Sequence, residues 1–172
     1  MLTILALTAL LAQAAPESSS APSPAASGMD GYTPHRLPMR NPTLAFGPND
    51  AVIVNSGSTN FSGYTLVIHP DFSAEVAVNG VARQTAVLEA DAKSLFAKLD
   101  GAMPLDSLAI GHCMKSASFG TTTTIAYHGK VTPDLSCGVD AAGRELARAA
   151  AVITSKLNIV PALRHSPSRY PQ

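Results

Sequence analysis

Four short apolar runs, each bounded by turn-forming residues, open the folded region of this sequence. They occupy residues 51–54, 64–69, 74–78 and 81–85. Asn79 and Gly80 separate the last two runs, and this pair favours a two-residue type I′ hairpin because both of its positions need a positive φ. Pro70 and Asp71 supply a turn between the second and third runs. The pattern therefore predicts antiparallel strands joined as a meander.

The apolar period then changes from that of a strand to that of a helix. One helical face is formed by Leu88, Ala92, Leu95, Phe96 and Leu99. Glu89 and Asp91 lie in the first turn, where the helix dipole favours negative charge. Gly101 and Pro104 follow the last apolar position and stop the helix. The sequence thus predicts a first helix over residues 88–99.

A second hairpin and a second helix complete the folded region. Residues 121–127 and 130–132 are predicted strands, and residues 128–129 form the tight turn between them. The second helix is predicted to begin near Asp140. Its apolar face is formed by Val139, Leu146, Ala149, Ala150, Ile153 and Leu157. Gly143 inside this pattern costs up to about 1 kcal/mol relative to Ala, which leaves the start of the helix open.

The order of elements is strands, helix, strands, helix, and neighbouring strands are joined by short turns. This order is typical of the α+β class, because each hairpin must cover its apolar face with a helix. We predict an antiparallel sheet of about five strands with both helices packed on one of its faces.

The amino-terminal residues have the pattern of a signal peptide. An apolar run of about 11 residues precedes Ala12-Gln13-Ala14, a small-x-small sequence suited to signal peptidase. A membrane anchor competes with this interpretation because no Lys or Arg precedes the run. The run is, however, shorter than the ~20 residues that span a bilayer. We expect residues 1–14 to direct export, and the mature chain to be periplasmic or secreted without a transmembrane segment.

Composition divides the remainder of the chain into three parts. Residues 15–42 are rich in Ala, Ser and Pro and lack apolar periodicity, so they cannot bury enough surface to offset the entropy lost on folding. We predict a disordered tether there, an α+β domain over residues 43–160, and a loose tail over residues 161–172 with three prolines.

Charge and motif content narrow the possible functions. Lys plus Arg equals Asp plus Glu at 12 each, so there is no basic field to attract nucleic acid or anionic lipid. The absence of Trp weakens the case for a platform that stacks sugars or bases. The sequence has no phosphate-binding glycine loop, dinucleotide fingerprint or serine-hydrolase motif. We therefore predict no cofactor and no nucleic-acid partner.

The chain has two cysteines, Cys113 before the second hairpin and Cys137 after it. In an oxidising compartment, an even number of cysteines that flank one hairpin predicts a disulfide. Regular pairing about the turn at 128–129 would place Cys113 opposite residue 144. Residues 116–120 must therefore bulge or form a loop for the sulfur atoms to meet. We expect the bridge to fasten the last helix to the loop before the second hairpin.

The histidines and cysteines raise two further kinds of functional site, a hydrolase triad and a metal site. His112 adjoins Cys113, and His128 and Asp134 follow, which together are the residue types of a Cys-His-Asp hydrolase. This pattern has no family signature and needs a free thiol at Cys113. His69, His112 and His128 lack the spacing of metal ligands, so no metal site is predicted. No catalytic residue is assigned.

The polar residues around the predicted bridge are the remaining functional candidates. They are Lys115, Ser116, Ser118 and Asp134. Loops held on a rigid scaffold commonly carry binding, so these side chains are a possible binding surface. The alternative is a solvated loop shaped by the bridge. Phe119, which precedes Gly120, is predicted to belong to the core.

The sequence Cys…Lys-Ser…Ser-Phe-Gly…Tyr-x-Gly…Thr-Pro-Asp-Leu-Ser-Cys resembles that of small exported bacterial proteins of unknown function, over residues 45–160. The resemblance implies an envelope location and a bacterial source, and it implies no activity. We expect a non-catalytic domain that binds an unknown protein or envelope component, in an inhibitor-like or envelope-associated role. The alternative is a small hydrolase that uses His112 or His128. The sequence leaves the oligomeric state open.

Overall fold

A computed structural model of the chain describes residues 41–109 and 111–159. The predicted signal peptide, all but the last two residues of the predicted tether, and the predicted tail lie outside the described residues. Asn41, at the end of the predicted tether, is held by the fold. Its side chain donates to the carbonyl of Gly63 at 2.8 Å and accepts from the N–H of Gly80 at 3.0 Å.

Six antiparallel strands form one sheet in the order β4-β3-β2-β1-β5-β6. The strands are β1 (Ala51–Asn55), β2 (Tyr64–Ile68), β3 (Ser73–Val78), β4 (Val81–Ala86), β5 (Thr123–Tyr127) and β6 (Lys130–Val131). The predicted α+β class and antiparallel sheet are confirmed, with six strands where about five were expected.

Both predicted tight turns are present. Asn79 and Gly80 have φ values of 54° and 77°, and His128 and Gly129 have φ values of 49° and 70°. A positive φ at both central positions is the requirement of a type I′ turn, whose twist matches that of the flanking strands. These two turns fix the registers of the β3–β4 and β5–β6 pairs.

The helices are α1 (Glu89–Gly101) and α2 (Ala141–Lys156), and a short 3₁₀ helix occupies Leu105–Ser107. Asp140 caps α2 by accepting the N–H of Gly143 at 2.8 Å. A Cβ atom at Gly143 would lie 2.7 Å from Cβ and Cγ2 of Val139. Gly143 lowers helix propensity, but it is required here because the first turn of α2 packs closely against Val139.

Both helices pack on the same face of the sheet, as predicted, and they pack against each other. Fully buried side chains from the sheet and the helices form the main core: Ile53, Leu66, Ile68, Val76, Leu95, Leu99, Ile125, Leu146 and Ile153. A smaller cluster on the opposite face consists of Leu44, Val52, Val67 and Ala77. Among the described residues, no helix has the length and hydropathy needed to cross a membrane.

Candidate binding surface

Two loops lie at the same end of the sheet, where β1 ends and β5 begins. We call residues 56–63 and 111–122 the loop pair. Asn55, the last residue of β1, is buried and organises this end. Its amide nitrogen donates to Thr123 Oγ1 at 3.0 Å and to Thr121 Oγ1 at 3.3 Å, and its amide oxygen accepts the N–H of Gly57 at 2.9 Å. One side chain thus connects β1 to both loops.

Backbone and hydroxyl hydrogen bonds join the two loops directly. The N–H of Ser56 donates to the carbonyl of Thr122 at 3.0 Å, and the N–H of Thr122 donates to Ser56 Oγ at 2.9 Å. Further along, the N–H of Asn60 and the hydroxyl of Ser58 both donate to the carbonyl of Ser118, at 3.1 and 2.8 Å. The loop pair therefore extends the β1–β5 pairing beyond the sheet.

The side chain of Lys115 is turned inward. It connects the loop pair to the segment that follows β6 through three polar contacts. Its ammonium group contacts the carboxylate of Asp134 and donates to Ser136 Oγ at 2.6 Å and to the carbonyl of Thr121 at 2.5 Å. Asp134 in turn accepts the N–H of Thr123 at 2.9 Å. Both charged side chains are only 23% exposed. Their main role in this arrangement is to hold residues 111–122 against the start of β5.

The ionisation of Asp134 reflects these contacts. Partial burial opposes its negative charge, but hydrogen bonds from Lys115, Ser136 and the N–H of Thr123 outweigh this cost and lower the pKa of Asp134 from 3.8 to about 2. Lys115 and Ser136 lie at the distance of a Ser-Lys nucleophile pair. The Lys115 ammonium is committed to the ion pair, however, and an ammonium has no lone pair with which to take a proton from Ser136.

The predicted disulfide between Cys113 and Cys137 is present, with the two Cα atoms 5.3 Å apart. The loop that the prediction required at residues 116–120 is a tight turn, in which the N–H of Gly120 donates to the carbonyl of Ser116 at 2.6 Å. Because Cys137 lies four residues before the first residue of α2, the bridge connects the loop pair to the start of that helix.

Apolar side chains of the 111–122 loop face solvent. Met114 is fully exposed, and Phe119 is 60% exposed. The prediction that Phe119 belongs to the core is wrong: the turn at 116–120 carries it outward, where its ring meets that of Phe61 edge to face at 5.9 Å. Of the predicted surface hydroxyls, Ser116 is exposed and Ser118 is half-buried.

The structure does not assemble the residues of the Cys-His-Asp alternative. Cys113 is bridged, so it offers no thiolate nucleophile. Asp134 accepts from Thr123 at the first residue of β5, whereas His128 follows the last residue of that strand, at the other end of the sheet. His112 is exposed in the loop beside the bridge. Within residues 41–109 and 111–159, no three His, Cys, Asp or Glu side chains are grouped so that they could hold a metal ion.

One histidine–carboxylate pair was missed by the sequence analysis. His69 Nδ1 lies 3.0 Å from Asp50 Oδ1, and the other oxygen of Asp50 accepts the N–H of Gly47 at 2.6 Å. The pair follows from the meander, because the register Ala51↔Ile68 places the residue before β1 beside the residue after β2. It lies at the end of the sheet away from the loop pair, and it ties the segment before β1 to β2.

Comparison of the chain with protein-family models, curated proteins and solved structures yields no match. The resemblance of the cysteine-flanked segments to small exported bacterial proteins remains a prediction.

Proposed function

We propose that the protein is an exported, non-catalytic domain that binds a protein or another component of the cell envelope through the loop pair. The observation that carries the proposal is the combination of firm attachment and apolar exposure in residues 111–122. The disulfide, the Lys115 contacts and the hydrogen bonds to residues 56–63 all fix this loop. It nevertheless presents Met114 and Phe119 to solvent.

A loop fixed in this way favours binding for an energetic reason. Association costs about 0.5–1.5 kcal/mol for each rotamer-rich side chain that is immobilised, and more when a loop must be ordered. Here the backbone is held before a partner arrives. Met and aromatic side chains are also enriched at protein interfaces relative to the rest of the surface.

The surroundings of the apolar side chains indicate the chemistry of the partner. Ser116 is exposed on the same loop, and the hydroxyl of Thr59 donates to the neighbouring carbonyl of Ala117 at 3.0 Å. Lys115 and Asp134 neutralise each other beneath them. The loop therefore presents two apolar side chains and a hydroxyl above a partly buried ion pair without net charge, which suits an uncharged partner surface with an apolar pocket.

The signal-like segment and the disulfide both support export. A disulfide persists in an oxidising compartment such as the periplasm or the extracellular medium. Cell fractionation with thiol labelling tests this step. We expect the protein outside the cytoplasm with both cysteines unreactive, and a cytoplasmic protein with two free thiols would contradict export.

The binding surface is tested with the immobilised full-length chain and solubilised envelope fractions. We expect a retained partner to be lost with Met114→Ser and, more completely, with Met114→Ser combined with Phe119→Ser. Val152→Ser is the matched control, because Val152 is an exposed apolar residue on α2, away from the loop pair. Equal retention by all variants, or equal loss in the control, would contradict the proposal.

A further inference from the structure

β4 forms one edge of the sheet and has backbone groups directed away from it. In a two-residue hairpin the residues that flank the turn, Val78 and Val81, exchange both of their hydrogen bonds. Because bonding alternates along a strand, the N–H and C=O groups of Ala82, Gln84 and Ala86 point to the free side of β4. These groups have no backbone partner within the described part of the chain.

This edge lacks the features that usually prevent strand edges from pairing. β4 contains no proline, its register with β3 is continuous over six residue pairs without a bulge, and it is almost wholly exposed. Its one charged side chain, Arg83, is drawn toward the helices, where the guanidinium donates to the carbonyl of Leu157 at 3.0 Å. The opposite edge differs, because β6 has only two residues.

We propose that β4 pairs with β4 of a second copy of this chain, antiparallel and about a two-fold axis centred on Gln84. An antiparallel edge is complementary to its own two-fold copy, since each outward donor meets an outward acceptor. The net charge of the chain is zero, so copies approach without long-range repulsion. Val81, the first residue of β4, and Leu88, two residues after its last, are exposed and add apolar contact at the two ends of the strand.

The register is selected by hydrogen bonding and charge. Centring on Gln84 pairs Ala82 with Ala86 on both sides of the axis, which uses all the outward backbone groups and places Arg83 opposite Thr85. Centring on Arg83 would place two guanidinium groups directly opposite each other and use fewer of the outward groups. Like charges in opposite positions are unfavourable, so the register centred on Gln84 is preferred.

Charge exchange at Gln84 tests this interface, because the residue faces its own copy across the axis. Sedimentation equilibrium of the full-length chain should show a reversible dimer. Gln84→Glu should raise the dissociation constant about fivefold or more, because it adds a carboxylate beside Glu75 in each copy and sets like charges against each other across the axis. Gln84→Lys should raise it less, because the neighbouring Glu75 offsets part of the repulsion between the two lysines. Mixing the two variants should restore a mixed dimer with an affinity at least equal to that of the wild type. Val131→Lys, on the opposite edge, is the control and should leave the dimer unchanged.

Two results would overturn the inference. One is a wild-type chain that is monomeric throughout the micromolar range and up to millimolar concentration. The other is a dimer whose dissociation constant in both Gln84 variants is unchanged from that of the wild type. Circular dichroism confirms that each variant is folded, which is expected because residue 84 is exposed and its side chain contacts only Glu75 across the strand pair.

Discussion

Lys115 and Asp134 form an ion pair between the same two segments that the disulfide joins, two residues after Cys113 and three residues before Cys137. One covalent and one electrostatic connection therefore hold residues 111–122 to the segment that leads into α2. The two connections respond to different conditions, because the first is broken by reduction and the second by acid. This difference allows their contributions to be measured separately.

Acid should weaken the loop attachment through Asp134. The pKa of Asp134 in the folded chain is lowered to about 2, so its contribution to stability is fully present above the ordinary value of 3.8. That contribution is lost as the pH falls from about 4 to about 2. After allowance for solvent screening of a group that is 23% exposed, we expect Asp134→Asn to lower the free energy of unfolding by about 1 kcal/mol at pH 7.

Urea unfolding at pH 7, 4 and 2 measures this difference, which should be nearly as large at pH 4 as at pH 7 and should fall to a small fraction of that value at pH 2, where the folded-state carboxyl is about half protonated. Asp106→Asn is the control, because Asp106 pairs with Lys130 at the surface with both side chains about half exposed, and its loss should leave stability nearly unchanged. A constant difference between wild type and Asp134→Asn at all three pH values would show that the carboxylate charge is irrelevant.

Reduction should destabilise the protein locally before it unfolds globally. The bridge closes a loop with a sequence separation of 24 residues, for which the chain-entropy model gives about 3 kcal/mol. Hydrogen exchange after reduction, or in Cys113→Ser combined with Cys137→Ser, should rise first in residues 111–122 and at the start of α2. Exchange in β2 and β3 should change last. A uniform rise across the domain would contradict this account.

Local chemistry made much of the fold predictable. The hairpin at Asn79-Gly80 follows from a backbone requirement that few residues satisfy, and the apolar periodicity after Asp140 predicts α2, although Gly143 left its first residue open. The pairing of β1 with β5 could not be derived in this way. It joins strands about 70 residues apart, and it depends on burial of their shared face, which no local pattern specifies.

The candidate site was predicted in part. The disulfide followed from cysteine count and position, and Lys115 and Asp134 were identified as neighbours of the bridge. The contribution of Asn55 was missed, because an Asn before Ser-Gly is also typical of an ordinary turn. The outward position of Phe119 was missed as well. It depends on the turn at 116–120 and on contact with a loop far away in sequence, whereas hydrophobicity alone predicts burial.

Gly143→Ala should lower stability despite the higher helix propensity of Ala. The added Cβ would lie 2.7 Å from Val139, so the start of α2 must shift, at a cost of about 1–3 kcal/mol. Gly101→Ala is the matched helical control, since a Cβ there meets nothing within 4 Å, and it should be neutral or stabilising by up to about 1 kcal/mol. Denaturation midpoints distinguish these outcomes, and a stabilised Gly143→Ala variant would contradict the observed packing.

The most direct test of the central claim is site-specific photo-crosslinking in intact cells. A photoreactive side chain at position 114 should give one discrete crosslinked species, because that position is fully exposed on the loop pair. The same group at position 152 on α2 should give none. A discrete species at 114 alone is the result that binding through the loop pair predicts. The absence of a species at 114, or the same species from both positions, would contradict it.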